Sequence, residues 1–320
     1  MKQSRIIQRN LLSILMMAMV LSLASCSSDE SESVVPEPER PALSKVVLNI
    51  SVQDNKMPET SNATRAAGAI TLRAVVEVYS AGAQNLLLSH QEPSLTATSD
   101  GYTCELNALP EGECDIYLWL DYGYYQTQSL RAIGFDENYT SDENSRKAFY
   151  GSVRLNASGQ TVAQGAIEAK SPFARYRIEA LDVEKYESMK DANGWPELSD
   201  VDIRVTYESY FPCSFNAITG KPNDARRGLS YTSSVCLSDD GKSVIASDYV
   251  LVNGSESTIS IRIEIINRQT GEVISSVSDV DVTYRRGYET VVSGNILTAG
   301  TMDGNVYIDT RWEGEYNVNF

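Results

Sequence analysis

Histidine is almost absent from this sequence, whose 320 residues include only His90. Zinc proteases, deaminases and most zinc sites need two or three imidazoles close together, so the composition predicts no metal site. A Ser-His-Asp hydrolase would have to be built around His90, yet no Gly-x-Ser-x-Gly elbow accompanies it. The phosphate-binding patterns Gly-x-x-x-x-Gly-Lys and Gly-x-Gly-x-x-Gly are also missing. We therefore expect a protein that is not an enzyme and has no cofactor.

Positive charge is scarce as well. The chain has 27 Lys and Arg against 43 Asp and Glu, which gives a formal net charge of −16. A surface of this sign repels phosphate groups, so we expect no nucleic acid among the partners and no charge-driven adhesion to anionic lipid.

A hydrophobic run long enough to span a bilayer is lacking too, because the apolar stretch near the N terminus covers only residues 11–24. Together with its basic start, this stretch has the layout of a secretory signal peptide over residues 1–25. It ends at Leu23-Ala24-Ser25-Cys26, which resembles the lipobox of bacterial lipoproteins. That resemblance implies lipid on Cys26 and attachment to the outer membrane. The alternative is an ordinary signal peptide with a chance cysteine.

Residues 26–42 are predicted to form a tether between the lipid and the folded part. The acidic stretch Ser27-Ser-Asp-Glu-Ser-Glu32 resembles the export signal that sends lipoproteins of Bacteroidota-type bacteria to the cell surface. A plain solvated tether is the alternative. The following Pro36-Glu-Pro-Glu-Arg-Pro41 has the composition of an extended spacer.

Short strands with alternating apolar residues fill the rest of the sequence, at intervals near ten residues that favour β-sandwiches. The pattern predicts an all-β protein with one sandwich in residues 43–169 and a second in residues 170–320, separated where a polar stretch ends at Pro172. Residues 182–189 are predicted as a short helix or a loop. The predicted strands are 46–52, 72–79, 102–106, 113–120, 173–181, 201–207, 230–237, 243–251, 258–267, 273–282 and 289–296.

A β-hairpin is predicted around the turn Leu109-Pro-Glu-Gly112, because proline presets φ and glycine accepts a positive φ. Cys104 and Cys114 fall on the apolar side of its two strands, and a compartment outside the inner membrane permits disulfides. This favours a Cys104–Cys114 disulfide and leaves Cys213 and Cys236 for the second sandwich. Buried free thiols are the alternative, because free cysteine packs well in cores.

Four further segments share features with one known family. They are Leu109-Pro-Glu-Gly-Glu-Cys-Asp-Ile-Tyr-Leu-Trp-Leu-Asp-Tyr122, Phe173-Ala-Arg-Tyr-Arg177, Tyr210-Phe-Pro-Cys-Ser-Phe-Asn-Ala-Ile-Thr-Gly-Lys-Pro222 and Arg286-Gly-Tyr-Glu-Thr-Val-Val-Ser-Gly-Asn-Ile-Leu-Thr298. In this order, behind a lipobox, they resemble the fimbrillin-like (type V pilus) subunits and anchors of Bacteroidales. Gly287 departs from the family, which usually has Asn at that position.

The resemblance implies two tandem transthyretin-like β-sandwiches. It also implies assembly with other fimbrial subunits by strand exchange, and adhesion to a host protein or glycan. Pilus subunits of this family are cut after an arginine by a trypsin-like cysteine protease, and Arg65-Ala66 lies in a small-residue segment suited to such a cut. Residues 46–52 would then be the removed strand, whose place a neighbour's strand fills. An uncut loop is the alternative, and it would indicate an anchor subunit.

The C-terminal segment alternates over sixteen positions, residues 305–320. Fully extended, such a segment would reach on the order of 50 Å, which is more than one sandwich covers. We therefore expect residues from Glu313 onward, including Tyr316, Val318 and Phe320, to fill the next subunit's groove or to cap the protein's own. A final strand paired entirely within the second sandwich is the alternative.

The function expected from these features is that of a surface-exposed fimbrillin-like lipoprotein of the outer membrane or fimbrium. One alternative is a lipid-anchored pilus anchor. Another is a glycan-binding lipoprotein of a polysaccharide-uptake system, which would stack sugars on the aromatic cluster of residues 117–125, although packing within strands and loops also explains that cluster. A β-sandwich hydrolase would need a carboxylate pair, which 43 acidic residues do not exclude.

Overall fold

The computed structural model describes residues 44–52, 71–135, 139, 141, 146–157, 162–236, 243–300 and 308–315, and the statements below concern these residues. The predicted all-β class is confirmed, because strands dominate and α1 (Val183–Asn193) is the α-helix of the described chain. The N-terminal half contains β1 (Ser44–Val52), β2 (Arg73–Ser80), β3 (Ala83–Gln91), β4 (Thr96–Thr98), β5 (Gly101–Leu109), β6 (Glu113–Asp121), β7 (Tyr125–Gln126), β8 (Ile133–Phe135), β9 (Ala148–Asn156) and β10 (Val162–Ala169).

The C-terminal half begins with β11 and places α1 and a 3₁₀ turn at Leu198–Asp200 before its second strand. Its strands are β11 (Phe173–Ala180), β12 (Val201–Tyr207), β13 (Phe211–Asn216), β14 (Lys221–Arg226), β15 (Ser230–Ser234), β16 (Ser243–Leu251), β17 (Glu256–Asn267), β18 (Val273–Arg285), β19 (Tyr288–Gly294) and β20 (Ile308–Glu315).

Two four-stranded sheets form the first sandwich, with strand orders β10-β1-β5-β4 and β3-β2-β6-β9. The facing sides of the two sheets share one core, because every second residue of a strand points to the same side. This core is mostly aliphatic, and it includes Leu48 of β1, Val76 of β2, Leu106 of β5 and Leu118 of β6.

The second sandwich consists of sheets β16-β11-β19-β20 and β15-β12-β17-β18. Its core is rich in tyrosine and isoleucine, with Tyr176, Tyr207 and Ile263 fully buried. The same core continues onto the outer face of β2 and β6, where Val75 and Trp119 belong to it. The two central strands of the sheet β3-β2-β6-β9, β2 and β6, are therefore buried on both faces.

A fifth sheet, with strand order β14-β13-β8-β7, is built from both halves of the chain. Ile133 and Gly134 of β8 pair with Phe215 and Ser214 of β13. The predicted boundary after residue 169 falls between β10 and β11, but Pro41–Phe320 groups as one compact unit. The division into two independent domains therefore stays a prediction.

The predicted hairpin around Leu109-Pro-Glu-Gly112 is wrong. β5 pairs with β1 and β4, whereas β6 pairs with β2 and β9, so the two strands lie in opposite sheets of the first sandwich. Alternation identifies the buried face of a strand but not its pairing partner. The chain crosses from one sheet to the other between β5 and β6. Leu106 and Ile116 therefore enter the core from opposite sheets instead of lying side by side in one sheet.

Candidate assembly site

The first strand occupies the middle of a sheet. β1 pairs in parallel with β10 over residues 45–52 and antiparallel with β5 over residues 44–50. Both of its edges are therefore hydrogen-bonded to strands that come much later in the chain. Such a strand completes a sheet that the remaining strands cannot close by themselves.

One face of β1 is part of the first sandwich's core. Val46 and Leu48 are fully buried and Ile50 is 2% exposed, while Asn49 and Ser51 on the other face of the strand are exposed. Burying each of these aliphatic side chains contributes about 1.5–3 kcal/mol. Withdrawal of β1 would open a groove between β10 and β5. Cys104, Leu106 and Ile167 would line this groove, because they pair with core residues of β1 and belong to the same core.

The last described strand lies at the edge of the second sandwich. β20 pairs antiparallel with β19, with Trp312 opposite Thr290 and Glu313 opposite Glu289. The C-terminal segment is therefore paired within its own chain as far as Glu315. This pairing is the arrangement that the alternative of a strand paired within its own chain expects. Donation from Glu313 onward to another subunit stays a prediction.

Several predicted site residues fall outside the described residues. They are the lipidation residue Cys26, the cleavage residues Arg65 and Ala66, and Tyr316, Val318 and Phe320 of the proposed donor segment. Two of these groups directly follow a described strand. The segment with Arg65 and Ala66 comes after β1, which ends at Val52, and residues 316–320 come after β20, which ends at Glu315.

The expected Cys104–Cys114 disulfide is not formed in the structure. Cys104, Cys114 and Cys213 are buried free thiols and Cys236 is an exposed free thiol. Burial raises the pKa of the Cys104 thiol to about 11 and also raises the pKa of Cys114. Since the thiolate is the reactive form, both cysteines act as small apolar side chains of the first core.

The aromatic cluster of residues 117–125 is mostly buried between the two sandwiches. The Trp119 ring lies 5.9 Å from that of Phe215 on β13, and the Tyr125 ring lies 6.1 Å from that of Phe173 on β11. Tyr117, Trp119 and Tyr125 are at most 7% exposed. These three rings pack inside the protein, so they are not available to stack on a sugar.

The Trp-x-Asp motif of β6 is explained by a hydrogen-bonded corner. Asp121 is fully buried and accepts hydrogen bonds from the Trp119 indole Nε1 at 2.7 Å and from the Gly123 backbone N–H at 2.7 Å. The Arg73 guanidinium donates to both of its carboxylate oxygens, at 2.6 and 3.1 Å. The motif therefore fixes the end of β6 against the start of β2.

The Asn-x-x-Thr-Gly motif forms the turn between β13 and β14. The Asn216 side-chain oxygen accepts hydrogen bonds from the backbone N–H groups of Ile218 and Thr219, at 2.9 and 3.1 Å. Gly220 has φ of +66°, and a Cβ there would lie 3.1 Å from the Tyr150 hydroxyl. Glycine meets both constraints, so the turn can pack closely against Tyr150 of β9.

A buried ion pair that the sequence pattern did not indicate links the two halves. Arg146, just before β9, donates to Asp248 of β16, and the two side chains are at most 1% exposed. The hydroxyls of Tyr139 and Tyr207 also donate to Asp248. Burial raises the pKa of the Asp248 carboxyl. Its partner Arg146 lies 102 residues away, so no local spacing marks the pair.

The single histidine takes part in a small polar cluster on β2 and β3. His90 Nδ1 lies 3.2 Å from Glu77 Oε1, which also accepts the Leu130 backbone N–H at 3.0 Å, and the Tyr79 hydroxyl donates to Glu77 Oε2 at 2.5 Å.

Within the described ranges, no group of three His, Cys, Asp or Glu side chains is placed to hold a metal ion. The described helices include none with the length and apolar character of a membrane span.

The structure thus consists of two β-sandwiches, with the first strand in the middle of one sheet. The structure is similar to that of a candidate adhesin from Bacteroides ovatus, with a TM-score of 0.51 and 10% identity over 85% of this chain and 96% of that one. The expected all-β sandwich class is thus confirmed, while two tandem transthyretin-like domains stay a prediction. A family model of unknown function, DUF6562, matches residues 39–320, so the chain belongs to that family.

Two other solved structures are similar in outline. The fimbrial anchor protein Mfa2 from Porphyromonas gingivalis has a TM-score of 0.45 and 10% identity, over 86% of this chain and 100% of that one. A candidate polysaccharide-binding protein from Bacteroides thetaiotaomicron has a TM-score of 0.46 and 11% identity, over 86% and 100%. A sequence comparison with curated proteins finds no match.

Proposed function

We propose that this protein is a non-enzymatic subunit of a bacterial surface fimbrium, assembled by strand exchange in the first sandwich and used in adhesion. The observation that carries the proposal is the position of β1, which lies between β10 and β5 with Val46, Leu48 and Ile50 in the core. Its direct covalent link to β2 is the segment that contains Arg65-Ala66.

A cut after Arg65 would leave β1 held by hydrogen bonds and packing alone. Another strand with alternating apolar residues can supply the same hydrogen bonds and packing, because main-chain pairing is largely independent of sequence. An open groove would expose the core positions under β1, so filling the groove with a neighbour's strand is strongly favoured over leaving it empty.

The C-terminal residues 316–320 are our candidate for the donor strand. They follow β20, which is an edge strand of the second sandwich, far along the chain from the groove in the first. Tyr316, Val318 and Phe320 alternate with two asparagines. In a strand, the three apolar side chains point to one face, as the core of a groove requires.

Before assembly, lipid on Cys26 and the tether of residues 26–42 would hold the chain at the outer membrane, with other fimbrial subunits as partners and a host protein or glycan as the adhesion target. The fold shared with a candidate adhesin supports a cell-surface location. Maturation at Arg65-Ala66 would then release the polymerising form from its lipid.

The second candidate is an anchor subunit that keeps its lipid. In the intact chain β1 is fully built into its sheet, and β20 pairs with the chain's own β19 up to Glu315. Such a subunit needs no cut at Arg65. The glycan-binding alternative loses three of the five aromatic residues of its proposed sugar platform, because Tyr117, Trp119 and Tyr125 are buried.

The intact mass of the protein recovered from fimbriae tests maturation and lipidation together. We expect the polymerised wild-type chain to begin at Ala66 and to carry no lipid, whereas Arg65→Ala keeps lipid on Cys26 and stays out of the polymer. Arg40→Ala, which changes an arginine of the tether, is the matched control and should match the wild type. A polymerised chain that retains residues before Ala66 contradicts the proposal, and a lipid-bearing chain at the base of the fimbria supports the anchor role.

Donation by the C-terminus is tested with single substitutions. Val318→Asp should abolish polymer, because a carboxylate cannot enter an apolar groove without a large desolvation cost. Asn317→Asp adds the same charge on the other side of the strand and should leave polymer intact. Both variants should keep the monomer's unfolding temperature. Normal polymer from Val318→Asp would show that another segment fills the groove.

A further inference from the structure

The third strand is an open edge of the first sandwich. β3 ends the sheet β3-β2-β6-β9, and within the described chain its ladder partner is β2. The pairing is regular from Ser89 to Gln91 and irregular before that, with register shifts on either side of Tyr79. No described strand pairs with the outer edge of β3, which leaves that edge available to another strand.

Three consecutive leucines on β3 are exposed. Leu86 is 54% exposed, Leu87 47% and Leu88 37%. Runs of exposed leucine on an open edge strand are uncommon in monomeric proteins, because such an edge promotes association. In this sandwich, the neighbouring β2 and β6 bury almost every residue, so the exposure is confined to one strand.

The same strand carries no formal charge. Ala83–Gln91 contains no Asp, Glu, Lys or Arg, in a chain whose net charge is −16. Two copies of so acidic a protein repel each other over most approaches. An uncharged edge is the place where this repulsion is least, which favours a second copy of the chain over a charged partner.

The sequence of β3 is also self-complementary when it is reversed. In an antiparallel pair centred on Leu87, that residue faces its own copy, Leu86 faces Leu88, Asn85 faces Ser89 and Gln84 faces His90. Apolar side chains thus meet apolar ones, and amide, hydroxyl and imidazole groups meet each other. This is the pattern that a twofold interface requires, since both partners present the same patch.

We propose that two copies of the chain associate through antiparallel pairing of their β3 strands about a twofold axis at Leu87, which joins two four-stranded sheets into one of eight strands. This association is separate from strand exchange, because it uses the β3 edge and leaves β1 in its groove. It applies equally to a lipid-bearing chain and to a matured one. The paired edges would be roughly 30 Å long, a small contact that suits a reversible dimer.

A symmetric cross-link tests the geometry. In the full-length chain with Cys236→Ser, Leu87→Cys should form a disulfide-linked dimer on mild oxidation, because residues directly opposite in an antiparallel pair bring their Cβ atoms close. Leu181→Cys has comparable exposure, at 51%, but lies outside the β3 edge and serves as the matched control. Equal cross-linking of the two variants would overturn the proposal.

Sedimentation of the full-length chain supplies a second measurement. The wild type should show a concentration-dependent monomer–dimer equilibrium that Leu87→Lys abolishes and Leu181→Lys leaves unchanged. All three proteins should have the same circular dichroism spectrum, because both leucines are exposed. A wild type that stays monomeric at its highest soluble concentration, or a dimer that survives Leu87→Lys, would refute β3 pairing. Neither result bears on strand exchange through β1.

Discussion

The two cores of the molecule are built from different chemistry. In the first sandwich the fully buried residues are Val, Leu, Ile, Ala and Cys, and Phe149 is the aromatic among those described. In the second, Tyr176, Tyr207 and Tyr231 form a chain of hydroxyl contacts at 2.8 and 2.9 Å, and Tyr207 donates to Asp248. One core relies on non-directional packing, whereas the other adds directional hydrogen bonds.

This difference bears on which strand can be exchanged. Aliphatic packing depends on alternation and volume more than on exact partners, so under the proposed function we expect the first core to tolerate replacement of β1. A buried hydrogen-bond network fits one set of partners and penalises a missing one, so the second core holds a single arrangement. The Arg146–Asp248 pair extends that network to the segment before β9, and thereby fixes the first sandwich to the second.

The largest effect is expected from breaking the buried ion pair. Arg146→Met would leave the Asp248 carboxylate buried without its cation, at a cost of about 3–5 kcal/mol in the free energy of unfolding. Denaturant unfolding measures this loss. The double variant Arg146→Met/Asp248→Asn should recover part of it, and a single variant as stable as the wild type would show that the pair does not hold the halves together.

The next largest effect should come from the aliphatic core under β1. Leu48→Ala would remove a fully buried side chain and cost about 3 kcal/mol in the intact chain. Asn49→Ala, at the adjacent exposed position, is the control and should change stability little. Once the chain has been cut and another strand fills the groove, neither substitution should matter. Persistent destabilisation of the polymer by Leu48→Ala would mean that β1 remains in place.

A smaller effect is expected for an ion pair of the first sandwich whose arginine is exposed. Arg154 donates to both carboxylate oxygens of Asp115, at 2.6 and 2.9 Å, and this hydrogen bonding lowers the pKa of Asp115. A carboxyl group whose pKa is lower in the folded state than in the unfolded state, where it is about 3.9, stabilises the fold at pH values above the unfolded-state pKa. This stabilisation disappears as the pH falls through the folded-state pKa. Arg154→Met should therefore lower the unfolding temperature slightly at pH 7 and not at pH 2. If Arg154→Met lowers the unfolding temperature by the same amount at both pH values, the ion pair is not the cause.

No effect is expected from a reducing agent. With four free thiols among the described residues, dithiothreitol has no disulfide to break and should leave the unfolding temperature unchanged. Thiol labelling of the native protein should reach Cys236 and spare Cys104, Cys114 and Cys213 until the protein unfolds. Labelling all four at equal rates in the native state would contradict this description of the two cores.

The sequence predicted strand positions well, because period-two alternation reflects burial of one face. The bounds of β12 and β16 agree with those predicted, and α1 forms where a short helix or a loop was expected. Sequence patterns missed β3, whose exposed leucines break the alternation of a half-buried strand. They also missed β9 and β10, which close one side of the first sandwich.

Pairing partners were harder to predict than strands. The sequence pattern predicts one hairpin for Cys104 and Cys114, since they lie close in sequence and share an apolar pattern, yet their strands belong to opposite sheets. The link between Arg146 and Asp248 depends on the packing of distant segments and leaves no local mark. By contrast, the Trp119-x-Asp121 motif was recognised from its residues, and the structure adds the hydrogen bonds that explain it.

A reversible lock on β1 tests the central claim most directly. Asn49 of β1 and Thr103 of β5 are cross-strand partners, so Asn49→Cys/Thr103→Cys should form a disulfide that holds β1 in its groove even after the chain is cut at Arg65. We predict that the locked, cut chain stays monomeric and polymerises when dithiothreitol is added, while wild-type polymerisation is unaffected by the reductant. Fimbriae that assemble while the lock is intact would contradict strand exchange at this site.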